Sequence, residues 1–316
     1  MEKSSKPIVN LIIPVHNEAQ NISWFFDKLT AATSELKDYD FNFIFVDDGS
    51  TDESLNIIKK LASNKSVKYV SFSRNFGKEA ATSAGLEIAE GDAAIMIDAD
   101  GQHPVELIKS FVEKWQEGYE VVIGVRKANS KEGFIKRYGS KVFYTLLGSI
   151  TGAKTVSGAT DYRLLDKKVV TEFKKLTEHN RMTRGLIDWL GFNRTYIAFT
   201  SPARHSGTAT YGYRKLVKLA LHGFVSQTTK PLQVTGLLGF FVTIISFFLS
   251  VFLFIEQYIF SDPLNLNVTG TAMLALFLSF LVGLVLICQW LLALYVESIH
   301  NETQNRPLYI VSEKSR

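Results

Sequence analysis

The sequence predicts an α/β fold, a mostly parallel sheet with helices on both faces, continued by an interfacial helix and a two-helix transmembrane hairpin. Three observations predict it. From Ile8 to Val125 short apolar runs alternate with stretches of helical periodicity, the signature of a parallel sheet wrapped by helices. Carboxylate-bearing polar clusters follow those runs at His16-Asn17-Glu18, Asp47-Asp48, Arg74 to Lys78 and Asp98 to Gln102. Finally, residues 231–296 carry only Glu256 and Asp262 as charged groups, whereas the chain before them is charged throughout.

Taken in order, Ile8 to Val15 is a first strand broken by Pro14, and the pattern after Glu18 is helical through Leu36. Phe41 to Val46 is a second strand, followed by Leu55, Ile58 and Leu61 at helical spacing. Val67 to Phe72 is a third, leading through Ser73-Arg74-Asn75-Phe76-Gly77-Lys78 into a helix from Glu79 to Ala89. Ala93 to Asp98 is a fourth, and Pro104 falls in the first turn of the next helix, where proline is tolerated. Glu120 to Val125 is a fifth.

The stretch Ala94 to Pro104 is the centre of this arrangement. If the strand direction persists to Asp100, Asp98 and Asp100 point to the same side. Oxygen ligands so placed suit a divalent cation whose shell a phosphate completes; a strand stopping in a polar turn is the structural alternative. In open sheets ligands bind beyond the carboxyl ends of the strands, so the four polar clusters converge on one edge. No Gly-x-Gly-x-x-Gly follows the first strand and no Gly-x-x-x-x-Gly-Lys-Ser/Thr loop occurs, which disfavours dinucleotide oxidoreductases and phosphate-loop hydrolases. The net charge of +4, without a basic cluster interleaved with aromatics, argues against nucleic acid as a partner. The single cysteine, Cys288, excludes an internal disulfide.

Two stretches exceed the roughly 20 apolar residues needed to cross a bilayer. The domain reading is a cytoplasmic catalytic domain over 1–212, an amphipathic interfacial helix over 213–230, two transmembrane helices within 231–296 (232–256 and 270–296) and a cytoplasmic tail over 297–316. No lysine or arginine lies between Lys230 and Arg306, so the loop around Asp262 is expected outside and both termini inside. No signal peptide is expected ahead of the first strand. The location is thus the cell membrane, multi-pass.

Ile13-Pro14-Val15-His16-Asn17-Glu18, Val46-Asp47-Asp48-Gly49-Ser50, Asp98-Ala99-Asp100-Gly101-Gln102 and Arg204-His205-Ser206-Gly207-Thr208-Ala209-Thr210-Tyr211 together resemble the family 2 glycosyltransferases, with their Rossmann-like GT-A fold. Within them the chain resembles the polyprenyl-phosphate branch, which holds bactoprenol glucosyltransferases and dolichol-phosphate mannose synthase. The resemblance implies that Pro14, Glu18 and Asp47 line the nucleoside pocket with Asp48 in support, and that Asp98 faces the nucleotide. It implies Mg²⁺ or Mn²⁺ on Asp100 and Gln102, with Asp98 beside them, at the diphosphate of a UDP-sugar. Lys78, Arg204 and Tyr211 would lie near that diphosphate, although Ala209-Thr210 stand where serine and lysine are usual.

On the acceptor side the resemblance assigns the phosphate of a polyprenyl lipid to Arg126, Arg137 and Ser140, and a catalytic role to Asp161 and Asp100. Since a phosphate acceptor needs little proton removal, Asp161 would orient the acceptor or a nearby arginine; the structural alternative makes it the ion partner of Arg163. The implied reaction is inverting transfer of a sugar, glucose in the first place, from a UDP-sugar to undecaprenyl phosphate for cell-envelope glycosylation. UDP-N-acetylglucosamine or another nucleotide sugar is the alternative donor. A processive polysaccharide synthase would carry Gln-x-x-Arg-Trp, which Arg184 to Trp189 and Gln289-Trp290 do not match. A non-catalytic scaffold would be expected to lose the carboxylates. The bacterial branch also implies a homo-oligomer.

Overall fold

In the computed structural model the described residues are 6–127, 156, 158–178, 181–202, 248, 255 and 270–315. They fall in two units, residues 1–212 with 305–316, and residues 213–304. The first unit is built on one eight-stranded sheet in the order β7-β5-β6-β4-β1-β2-β3-β8. Its strands are β1 (Ile8–Val15), β2 (Asp40–Asp47), β3 (Val67–Phe72), β4 (Ala93–Met96), β5 (Val121–Arg126), β6 (Ala159–Asp166), β7 (Arg194–Phe199) and β8 (Val311–Lys314).

The alternation of side chains along β1 explains the layering. Val9, Leu11, Ile13 and Val15 turn to one face, where Ile22, Phe25 and Leu29 of α1 (Ala19–Ser34), Ile58 of α2 (Ser54–Leu61) and Phe111 of α4 (Leu107–Gln116) cover them. Ile12 turns to the other, under Ala81 and Ala84 of α3 (Lys78–Ile88), with Val169 and Phe173 of α5 (Lys167–Lys174) and Leu186 of α6 (Thr183–Trp189) in the same core. α3 lies so close to β1 that a Cβ on Gly85 would stand 2.3 Å from the Ile12 Cγ2 methyl. Each sheet face thus buries an apolar layer, which is what a both-sided α/β pattern requires.

Two strands depart from the expected parallel order. β6 runs antiparallel between β4 and β5, and β8 runs antiparallel on the outer side of β3, while the other six strands share one direction. The sheet is therefore mixed, with the carboxyl ends of six strands and the amino end of β6 on one edge. β4 also stops at Met96, so the alternation expected to reach Asp100 ends before it, and Asp100 sits in a turn. Gly101, at φ +76°, supports that turn.

In the second unit, α7 (Gly270–Thr303) is a continuous helix of 34 residues, beginning where the second span was expected and running seven residues past Val296. Among the described residues no helix is long and apolar enough to cross a membrane, several side chains within α7 lying outside them. The expected interfacial helix and nearly all of the expected first span also lie outside the described residues.

Candidate active site

The loops after β1, β2 and β3 form a hydrogen-bonded block. Asp47, 1% exposed, accepts from the Ser50 N–H at 3.1 Å and from the Ser71 hydroxyl at 2.7 Å. Asp48 accepts from the N–H groups of Phe76, at 2.7 Å, and Gly77, at 2.9 Å. Burial pushes the Asp48 carboxyl above its ordinary range, against the pull of those two N–H groups. Gly49 is required between these loops: its φ is +60° and a Cβ there would lie 2.2 Å from the Arg74 carbonyl carbon. Asn17 ties β1 to the same block, its Oδ1 accepting from the Thr51 N–H at 2.8 Å, and the Ser54 hydroxyl accepts from the Glu18 N–H at 2.9 Å. Pro14 is half-buried on β1 opposite Val46.

A second group forms where β4 meets β6. Met96 pairs with Arg163, and the same antiparallel register carried two residues further sets Asp98 opposite Asp161. Two carboxylates facing each other need cations, and Lys78, at the start of α3, donates to Asp98 at 2.7 Å and to Asp161 at 3.3 Å. Arg184 on α6 adds its Nε 3.1 Å from Asp161. Burial would raise both carboxyls, but the opposing contributions, Lys78 foremost, together leave Asp98 below its ordinary value, and Lys78, Arg184 and the nearby Arg163 charge bring Asp161 down to about 2. Lys78 is correspondingly held above its ordinary value by the two carboxylates, despite burial. Glu79, the next residue, accepts from the Thr183 N–H at 2.9 Å and so seats the helix that carries Arg184.

The turn between these groups is fixed from below. His103, 6% exposed, stacks on Tyr162 with ring centroids 4.9 Å apart, and the Tyr162 hydroxyl donates to the Pro104 carbonyl at 3.0 Å. The Asp98 N–H points at His103 Nδ1 at 3.2 Å, and burial lowers the imidazole pKa, so the ring is neutral and its 3.8 Å approach to the Asp98 carboxylate is no ion pair. Asp100 accepts from the Gln102 N–H at 2.9 Å. Arg126, at the end of β5, donates to Gln102 Oε1 at 3.0 Å and to the Ser201 hydroxyl at 2.7 Å, and Ser201 donates to the Gln102 carbonyl at 2.9 Å. Among the described residues no three His, Cys, Asp or Glu side chains converge as metal donors. The carboxylate of Asp100 and the carboxamide of Gln102 are nonetheless hard oxygen donors in one turn, which suits Mg²⁺ or Mn²⁺.

The structure thus brings Pro14, Glu18, Asp47, Asp48, Lys78, Asp98, Asp100, Gln102, Arg126 and Asp161 to one sheet edge. Arg137, Ser140, Arg204 and Tyr211 lie outside the described residues. Asp161 does not take Arg163 as its hydrogen-bonded partner: Arg163, 1% exposed, donates to Asp188 at 2.9 Å. Arg184 is a site residue that the sequence does not mark, because it belongs to no motif and no spacing pairs it with Asp161. A cavity of about 380 Å³ opens on the far side of the turn, between Trp24, Lys28 and Thr200–Pro202; neither Asp98 nor Asp161 lines it.

A mixed α/β sheet thus gathers carboxylates, a lysine and two arginines at its carboxyl edge, the arrangement that the resemblance to GT-A glycosyltransferases implied. The chain belongs to glycosyl transferase family 2, whose profile matches residues 10–173. It is 37% identical over 306 residues to an uncharacterized glycosyltransferase of Synechocystis, covering 96% of this chain and 95% of that one. A prophage-derived bactoprenol glucosyl transferase of Shigella flexneri is 37% identical over 309 residues, 98% of each chain. In fold the chain is similar to the crystal structure of mannosyl-3-phosphoglycerate synthase from Rubrobacter xylanophilus, at TM-score 0.51 and 16% identity over 73% of this chain and 75% of that one.

Proposed function

We propose that the protein transfers glucose from UDP-glucose to a polyprenyl phosphate of the undecaprenyl class, with inversion at the anomeric carbon. The observation that carries this reading is the cation-saturated carboxylate Asp161, held between Lys78 and Arg184. A carboxylate brought down to about 2 is a poor proton acceptor for a sugar hydroxyl. A phosphate acceptor is already an anion and asks for positive charge instead, which Lys78, Arg184 and Arg126 supply at the same edge. Similarity to bactoprenol glucosyl transferases over 98% of both chains supports the same acceptor and sugar.

In this reading a phosphate oxygen of the lipid attacks the anomeric carbon while the bond from that carbon to UDP breaks, and UDP leaves with its electron pair. Asp47 and Asp48 shape the nucleoside side, and Asp161 keeps Lys78 and Arg184 directed at the reacting phosphates. Asp100 and Gln102 would hold Mg²⁺ or Mn²⁺, which supplies Lewis-acid stabilisation to the departing diphosphate. Residues 213–304 leave and re-enter one unit, since β8 belongs to the same sheet as β1. If α7 crosses a membrane, at about 51 Å of helix, a second crossing must precede it to return the chain to the same sheet, and the lack of lysine and arginine between Lys230 and Arg306 supports the cytoplasmic side for that sheet. Six large apolar side chains of α7, from Leu274 to Ile299, are 47–63% exposed, which suits lipid contact.

The test is incubation of membranes containing the protein with radiolabelled UDP-glucose, UDP-N-acetylglucosamine and UDP-galactose, each with undecaprenyl phosphate, followed by lipid extraction. Label in the lipid phase from UDP-glucose alone is expected. Label only with a sugar-alcohol acceptor would overturn the acceptor class, and label from another donor would replace the sugar.

A further inference from the structure

The chain's last residues are built into the donor side of the site. β8 pairs with β3 so that Val311 lies opposite Phe72 and Glu313 opposite Ser71. The Ser73 N–H donates to the Ile310 carbonyl at 3.0 Å, and the Tyr69 N–H donates to the Ser315 hydroxyl at 3.0 Å. Lys59 of α2 reaches Glu313 at 2.6 Å. Just ahead of the strand, Tyr309 lays its ring on Phe72, centroids 4.7 Å apart and planes 16° from parallel. Phe72 in turn meets the Phe76 ring edge-on at 5.8 Å.

β8 pairs directly with Ser71, whose hydroxyl holds Asp47, and Tyr309 reaches the Asp48 loop at one remove, through the Phe72 ring that meets Phe76. The Ser71 hydroxyl holds Asp47, the Phe76 and Gly77 N–H groups hold Asp48, and Lys78 follows directly. A four-residue strand of sequence Val-Ser-Glu-Lys has little apolar surface of its own. Here the Tyr309 ring supplies the missing anchor, and the contact works in both directions. With the ring in place Phe72 is covered and backs the edge of Phe76, whose own face carries the Arg74 guanidinium at 3.9 Å, and the loop from Ser73 to Gly77 is held at one end by Ile310 and at the other by Asp48.

We propose that Tyr309–Ser315 braces the donor pocket, and that Tyr309 is a positioning residue acting through Phe72 and Phe76 on the N–H groups that grip Asp48. Affinity for a nucleoside diphosphate therefore depends on the segment returning from α7, which ends at Thr303, six residues before Tyr309. The inference rests on the donor reading of Asp47 and Asp48 given above.

The experiment uses the full chain in detergent, with UDP as the binding probe and UDP-glucose as the kinetic one. Tyr309→Ala is expected to raise the Kd for UDP and the KM for UDP-glucose about 3- to 10-fold, the range that loss of an aromatic pair allows. Its kcat at saturating donor should stay within about twofold, as for loss of uniform binding. Tyr309→Phe should restore both constants, and amide exchange at Phe76 and Gly77 should quicken in the alanine variant alone. Should Tyr309→Ala fail to fold, Tyr309→Leu, which keeps bulk without the ring stack, is read by the same criteria. Wild-type UDP affinity in the ring-less variant, or a fall in kcat with KM unchanged, overturns the brace while leaving the donor reading intact. A wild-type chain that does not bind UDP overturns both.

Discussion

The loops around Asp47 and Asp48 and the strand pair around Asp98 and Asp161 both gather carboxylates, but they satisfy them differently. Asp47 and Asp48 are buried and take neutral donors, backbone N–H groups and a serine hydroxyl, which hold one geometry. Asp98 and Asp161 are partly exposed and take the side chains of Lys78 and Arg184, which can change partners when phosphates arrive. The first region is a fixed frame, and the second is a store of charge. A carboxylate bound by the backbone contributes mainly to folding, whereas one bound by mobile cations contributes mainly to where those cations point.

The contrast breaks most visibly in activity. Asp161→Asn or Asp98→Asn should lower kcat by about 10²- to 10³-fold, the scale for losing one organised electrostatic group. UDP binding should change by only a few fold, because the frame is untouched. Single-turnover transfer and UDP titration on the same preparation check this, and an equal loss in both would erase the distinction. In the other region the order reverses. Asp48→Ala leaves two N–H groups buried without a partner and should cost about 2–4 kcal/mol of stability, read by chemical denaturation of the catalytic unit in the full chain. Gly49→Ala should be comparably harmful, since its Cβ has no room beside Arg74.

The two regions were also unequally legible in the sequence. The frame announces itself as polar punctuation after three apolar runs, and its Asp-Asp-Gly-Ser demands a turn wherever it lies. The charge store does not. β6 does not read as a strand because Asp161, Arg163 and Asp166 interrupt its apolar residues, and Arg163 is buried beside Asp188, 25 residues later, which accepts from it. Arg184 meets Asp161 through a helix whose seat on Glu79 is a tertiary event. β8 falls within the expected tail because four residues, Val-Ser-Glu-Lys, carry no periodicity, and only the long-range ladder with β3 makes them a strand. The strand ends and the aspartates were thus visible, while the cations that define what the aspartates do were not.

Acid titration sharpens the comparison further. Asp161 is depressed in the folded protein from an ordinary 3.8 to about 2, so its contribution to stability is present above about pH 4 and fades as pH falls through about 2. Asp48 is raised, so the sign reverses: its ionisation opposes folding as pH rises through the ordinary carboxylate range, and protonation relieves that cost. Unfolding midpoints measured from pH 5 to pH 2 should fall less steeply in Asp161→Asn than in the wild type. The acid limb of the transfer rate above pH 5 should be the same in both, because it belongs to the acceptor phosphate. A limb that vanishes with Asp161→Asn would make Asp161 a base.

The smallest effect is expected where the Asp100–Gln102 turn is fastened to β5 and the Thr200–Pro202 segment. The Ser201 hydroxyl accepts from Arg126 and donates to the Gln102 carbonyl, while Arg126 keeps its own bond to Gln102 Oε1. Ser201→Ala removes one fastening and leaves the other, in a partly exposed place where water can replace the lost hydroxyl. Stability should fall by about 0.5–1.5 kcal/mol, the net worth of one such hydrogen bond. If Gln102 is a ligand, the loss should appear instead as a several-fold rise in the Mn²⁺ concentration for half-maximal transfer, with the rate at saturating Mn²⁺ nearly unchanged. A metal dependence that does not move in Ser201→Ala, but does move in Asp98→Asn, would shift the metal from the turn to the charge store and merge the two roles that the site now separates.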